Sequence, residues 1–282
     1  MRKILYLIVG LMCVLPVKSQ PDCLFTHYSS EEGLSQNTVM CILQDRKGNM
    51  WFATWDGINK FDGYAFRTYK AKFGNQVNLT NNRVDYIGED KYGFLWLQTY
   101  DNRVYRFDTR SETFESVPAT EEKGRKVLVT SVRILPCGSV WLLSENEGAI
   151  RVKTDPATCR LASEWYSAKS DLLPATHVYD VYEDNAGNEW ILTDNGLGML
   201  AEGSRRLVSY FVETANKEDA AGQVFYAAQE LGDELFFGSD NGRVWRYRKK
   251  DGQFLLLQLP VSSRIVAIKK TGGQELVIVT ET

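Results

Sequence analysis

Two histidines, His27 and His177, are the only imidazoles in this 282-residue chain. Histidine is the commonest general base at neutral pH, so both are weighed first. His27 lies in a stretch that reads as a strand, and His177 in a loop entering one. Neither accompanies a nucleophile motif: the sequence has no Gly-x-Ser-x-Gly elbow and no Gly-rich phosphate loop. Carboxylates recur instead, at Asp45, Asp90 and Asp184, and again at Asp56 and Asp101. A pair such as Asp56 and Asp101 suits glycoside hydrolysis, which needs two carboxyls about 5–9.5 Å apart across a cleft. Periodic Asp is also what tight turns demand, and that is the stronger reading. No catalytic residue is expected. Cys23, Cys41, Cys137 and Cys159 allow three disulfide pairings. With no C-x-x-C and no Cys/His cluster, neither a metal nor another cofactor is expected.

The elements that carry these residues repeat. Gly48-Asn49-Met50-Trp51, Gly93-Phe94-Leu95-Trp96, Gly138-Ser139-Val140-Trp141 and Gly187-Asn188-Glu189-Trp190 align, followed by Gly232 to Leu235 and Gly273 to Leu276. The steps between Trp51, Trp96, Trp141, Trp190, Leu235 and Leu276 are 45, 45, 49, 45 and 41 residues. That period matches a four-stranded propeller blade. Before each Gly runs a β-branched and aromatic stretch suited to a strand, and after it a strand carrying the Trp. Asp56-Gly57, Asp101-Asn102, Asn195-Gly196 and Asn241-Gly242 then mark hairpins. The expected fold is an all-β propeller of about five and a half blades. The six aligned positions are its anchors, each filling the wedge between neighbouring sheets. Thr214 to Gln229 contains helix formers and reads as a linker.

Phe25 to Tyr28 resembles the outer-strand segment Phe66 to Tyr69 yet precedes the first blade. Propellers often close by lending such a strand to the last blade, which removes an open edge. The sixth unit holds only two strands before Thr282. The expectation is an N-terminal part of a longer product, since seven blades need about 315 residues.

Arg2 and Lys3, the apolar run Ile4 to Val17, and Val17-Lys18-Ser19 have the layout of a secretory signal peptide. Residues 1–19 are read as that signal and 20–282 as the propeller, exported by the Sec route. Without Arg2, Lys3 and Lys18 the balance is 30 basic to 36 acidic residues, a net charge of −6. That argues against nucleic-acid binding, and no later run is apolar enough to enter a membrane.

One face of a propeller collects the hairpins and the connections between blades, and loops on a rigid scaffold carry function. Trp55 and Tyr100 occupy equivalent hairpin positions beside Asp56 and Asp101. Asn82, Arg83, His177 and Tyr179 approach the same face. Aromatic faces stack on sugar rings while Asp, Asn and Arg fix hydroxyls. These eight residues are the candidate ligand site.

Phe25 to Val39, with Gly33-Leu34-Ser35-Gln36-Asn37, and Gln44 to Gly63, with Gly48-Asn49-Met50-Trp51-Phe52 and Trp55-Asp56-Gly57-Ile58, are distinctive. Together they resemble the periplasmic sensor region of hybrid two-component system proteins of Bacteroidetes, built from two-component regulator propeller repeats. The third unit departs at Pro136-Cys137-Gly138, and the fifth and sixth lack Trp. The resemblance implies a periplasmic sensor that detects a glycan fragment, with an oligosaccharide as ligand. It implies downstream domains on the same polypeptide: an inner-membrane anchor, a histidine kinase, a receiver and a DNA-binding domain that controls glycan-use genes. None of those lies in these residues, so the chain itself is not expected to be an enzyme. A homodimer is expected alongside. The alternatives are a propeller glycoside hydrolase and a protein-interaction scaffold.

Overall fold

The computed structural model describes residues 25–71, 79–118, 127–168, 173–211 and 223–281. The signal-like segment and Cys23 lie outside them. Alternating β-branched and aromatic residues between Gly- and Asp-containing turns form five four-stranded antiparallel sheets, each meandering in sequence order. Blade 1 is β1 (Val39–Gln44), β2 (Met50–Thr54), β3 (Gly57–Phe61) and β4 (Phe66–Tyr69). Blade 2 is β5 (Val84–Glu89), β6 (Phe94–Thr99), β7 (Val104–Asp108) and β8 (Thr113–Val117). Blade 3 is β9 (Ser131–Ile134), β10 (Ser139–Leu143), β11 (Ala149–Thr154) and β12 (Leu161–Tyr166). Blade 4 is β13 (Val178–Glu183), β14 (Glu189–Thr193), β15 (Gly196–Leu200) and β16 (Leu207–Tyr210). Blade 5 is β17 (Ala227–Leu231), β18 (Glu234–Gly238), β19 (Arg243–Arg248) and β20 (Gln253–Gln258). A two-stranded sheet, β21 (Ile265–Lys270) and β22 (Leu276–Thr280), follows. The molecule is a β-propeller.

The core lies between blades, not within one. Trp51 packs with Leu95, Leu97 and Phe107 of blade 2, and Trp96 with Val140, Leu142 and Ile150 of blade 3. Trp141 meets Val181 and Ile191 of blade 4, and Trp190 meets Leu235 and Phe237 of blade 5. All four indoles are buried.

Each indole also needs a partner for its N–H, because a buried polar group left unpaired costs about 1–3 kcal/mol. The turn Asp provides it. Trp51 donates to Asp45 Oδ2 at 2.8 Å, Trp96 to Asp90 at 2.8 Å and Trp190 to Asp184 at 3.1 Å. Asp45 also accepts from the backbone N–H groups of Lys47 and Asn49, so one carboxylate closes the turn and seats the anchor. Burial pushes the Asp45 and Asp184 carboxyls up. The bonds from the indole and from Asn49 or Asn188 outweigh it and hold both below their ordinary value.

Two anchors differ from the sequence alignment. Leu235 is fully buried but packs against Trp190, towards the preceding blade. Leu276 packs beside Ala227, Val244, Ile265 and Ile268, likewise towards its preceding blade. Strand register makes Phe236 and Val277 the equivalents of Trp. Phe236 lies across from Arg246 as Trp96 lies across from Arg106, and Val277 pairs with Lys269 as Trp96 pairs with Gly88. The cause is turn length. Leu231 and Glu234 flank a two-residue turn, Gly232-Asp233, one residue shorter than Arg46-Lys47-Gly48. In the sixth unit Thr271 bonds Glu275 as Asp45 bonds Asn49, which moves Gly273 one place earlier in the turn. Aligning glycines therefore shifts both residues to the opposite sheet face, because side chains alternate with period two.

Two further expectations change. Phe25 to Ser29 is not a strand; Tyr28 packs on Phe61 and Phe66 of blade 1, 5.0 and 5.8 Å between ring centroids. The segment read as a linker through Gln229 ends inside β17, while residues 214–222 lie outside the described residues. Cys41, Cys137 and Cys159 are free thiols.

Candidate ligand-binding face

The face is built by one recurring bond. The hairpin glycine between the second and third strands donates its N–H to the connection entering the next blade. Gly57 reaches Asn82 O at 2.6 Å, Gly148 Thr176 O at 2.8 Å, Gly196 Gln223 O at 2.7 Å and Gly242 Ser263 O at 2.8 Å. Only glycine suits this place. Gly57 has φ +91°, and a Cβ there would stand 2.4 Å from the Tyr69 carbonyl oxygen. Loops from adjacent blades are thus held together, and their side chains meet.

At the junction of blades 1 and 2, Trp55, Arg83 and Tyr100 form one stack. The Arg83 guanidinium carbon lies 5.0 Å from the Trp55 ring centre and 4.1 Å from that of Tyr100. Asp85 holds Arg83 Nε at 2.9 Å and so orients the fork. The Tyr100 N–H donates to the Arg83 carbonyl at 3.0 Å. Trp55 is 47% exposed and Tyr100 60%, so both rings keep open surface although the guanidinium covers part of each.

The neighbouring polar residues serve their own loops. Asp56 pairs with Lys70 and accepts from Asn82 Nδ2 at 3.2 Å, while Asn82 Oδ1 accepts the Ala71 N–H. Asp101 accepts from Thr99 at 2.6 Å and pairs with Arg103 at 3.3 Å. Asp56 and Asp101 therefore belong to separate hairpins, each with its own donors.

His177 and Tyr179 form a second group, where blade 4 meets blade 5. Their rings stack at 4.0 Å, and Tyr179 meets Tyr226 edge-on at 4.6 Å. Tyr226 donates to Asp240 Oδ2 at 3.0 Å and carries Arg264 over its face at 4.3 Å. Burial, and then the Asp240 contact, pushes the Tyr226 phenol up. Sequence reasoning missed Asp85, Tyr226, Asp240 and Arg264. A signal existed for Arg264: it precedes Ile265 as Arg83 precedes Val84. Asp240 stands at the hairpin place of Trp55 and Tyr100, so one Arg position meets an aromatic ring at one junction and a carboxylate at another.

With this geometry in hand, comparison with known proteins is informative. Residues 33–56 match the family described as two component regulator propeller. The first blade opens on such a repeat. A stretch of 46 residues of this chain is 46% identical to Histidine kinase P4 of Formosa agariphila, spanning 16% of this chain and 3% of that protein. The fold is similar to the extracellular domain of a putative hybrid two component system from B. thetaiotaomicron. The TM-score is 0.57 at 19% identity, over 87% of this chain and 31% of the other. It is also similar to PorZ, a surface component of the type-IX secretion system of Porphyromonas gingivalis. There the TM-score is 0.56 at 14% identity, over 86% of this chain and 37% of the other. This chain thus spans only a small part of the curated relative and about a third of these solved chains.

Proposed function

We propose that this chain is the ligand-sensing propeller of an exported hybrid two-component signalling protein, acting by binding and not by catalysis. The ligand is a glycan fragment, received on the hairpin face. The histidine kinase, receiver and DNA-binding parts lie on the same polypeptide outside these residues, and they turn occupancy into expression of glycan-use genes. The protein sits in the periplasm, held by the inner membrane. The match of residues 33–56 and the likeness to an extracellular sensor domain support the signalling role. The observation that carries the binding role is the half-exposed Trp55–Arg83–Tyr100 stack, which offers ring faces and oriented donors side by side. Sugar rings stack on such faces while guanidinium and amide groups fix their hydroxyls.

Isothermal titration of purified oligosaccharides against the complete extracytoplasmic region tests this. Micromolar binding of one glycan class without turnover, lost in the double variant W55A/Y100A, is the expected result. Hydrolysis of the sugar would move the assignment to a glycosidase. Silence across the panel, with a protein copurifying, would move it to a scaffold.

A further inference from the structure

The opposite face, which carries the turns between first and second strands, holds a cavity of about 250 Å³ where blades 2, 3 and 4 meet. Its floor is a buried ion pair, Arg151 with Glu189, from blades 3 and 4. Glu189 further accepts from Trp141 Nε1 at 2.7 Å, so the floor is neutral and fully engaged. The walls differ. Lys153, at the end of β11, and Glu202, in the turn after β15, both line the cavity. Lys153 is half-buried and Glu202 exposed at the rim; among the described residues neither side chain has an ion pair or hydrogen-bond partner, and they do not pair with each other. Tyr92 adds an aromatic wall, with Lys91 lying 5.1 Å from its ring centre.

Opposite charges facing one small cavity without meeting are complementary to a molecule that carries both. We propose that this cavity binds a small zwitterion of the free α-amino acid class. The ligand's carboxylate sits on Lys153, its ammonium on Glu202, and its side chain against Tyr92. The cavity depends on blade 3 departing from the repeat: Leu135 stands where blades 1, 2 and 4 have Asp, so Trp141 turns to Glu189 of the next blade. The site lies on the other face from the Trp55 stack, so its fate is independent of the glycan reading.

The test is isothermal titration of the full chain with each of the common L-amino acids, then with the N-acetyl and carboxamide forms of any that bind. The expected result is saturable binding of one amino acid, abolished by either blocking group. K153A and E202Q should each weaken it about tenfold or more, as loss of one charge-assisted contact predicts. Both positions are off the core, so circular dichroism should show both variants folded. No heat across the panel overturns the proposal. So does binding that survives both substitutions or both blocking groups.

Discussion

Two junctions of this propeller each place an arginine beside a tryptophan, with opposite consequences. At the hairpin face Arg83 lies between Trp55 and Tyr100 with both rings open to solvent. At the turn face Arg151 lies 6.0 Å from the Trp141 ring centre, and both residues are buried around Glu189. The difference is saturation. Glu189 takes the indole N–H, the Ser139 hydroxyl and the Arg151 guanidinium, so Trp141 and Arg151 have no capacity left for a ligand. Arg83 spends only Nε on Asp85, which leaves the rest of its fork for a partner. Residue types alone do not separate a structural Trp–Arg pair from a receptive one; burial and the count of satisfied donors do.

The comparison breaks most visibly at Glu189. E189A takes from a buried guanidinium its nearer carboxylate, leaving Glu164 at 3.4 Å, and leaves a buried indole N–H unpaired, which should cost about 3 kcal/mol. Urea unfolding followed by tryptophan fluorescence measures it, and a loss under about 1 kcal/mol would mean that the pair is solvated after all. G148A comes next. Gly148 has φ +87°, and a Cβ would stand 2.1 Å from the Tyr166 carbonyl oxygen. We expect a cost near the top of about 1–3 kcal/mol, against about 1 kcal/mol for G63A, where a Cβ meets nothing within 4 Å and only the φ of +101° is strained.

The turn carboxylates give a pH signature. The folded state lowers the pKa of Asp45 and of Asp184. Their contribution is therefore full above the unfolded carboxylate range and is lost as pH falls through the folded values. Thermal melts should lose stability below about pH 4, and the double variant D45N/D184N should flatten that acid limb while lowering stability at pH 7. An unchanged limb would assign acid sensitivity to other groups. The smallest effect belongs to the hairpin face. R83A removes two exposed cation–π contacts, each about 0.5–1 kcal/mol, so its melting temperature should fall by only a few degrees while ligand response is lost. A loss as large as that of E189A would make Arg83 a structural clamp.

Much of this was legible in advance, for reasons the residues themselves supply. Trp51, Trp96, Trp141 and Trp190 recur with the period, and only blade packing requires a large flat side chain there. Asp45, Asp90 and Asp184 were legible as turn formers, but their second role as indole acceptors was not. Trp55, Arg83 and Tyr100 were each legible as residents of one face, whereas the sandwich they form was not. Nor was the group Tyr226, Asp240 and Arg264, since it joins one hairpin to the connections entering β17 and β21, with Asp240 and Arg264 24 residues apart. Leu235 and Leu276 were misread because glycine spacing reports neither how many residues a turn has nor which place in it the glycine takes.

What the sequence determined by itself is local and periodic: strands that alternate, turns that need Gly and Asp, and a repeat near 45 residues that demands stacked blades. Those follow from backbone sterics and side-chain period, which act within a few residues. What only the tertiary structure decided is who meets whom between blades. Leu135 in place of Asp sends Trp141 to Glu189. In blades 1 and 4 the Arg46 and Asn185 N–H groups donate to Glu89 and Glu230 of the next blade; Pro136, with no N–H to give, moves that bond to the Cys137 N–H, 2.7 Å from Glu183. Such contacts join residues nearly a whole repeat apart, and their geometry exists only once two sheets have packed.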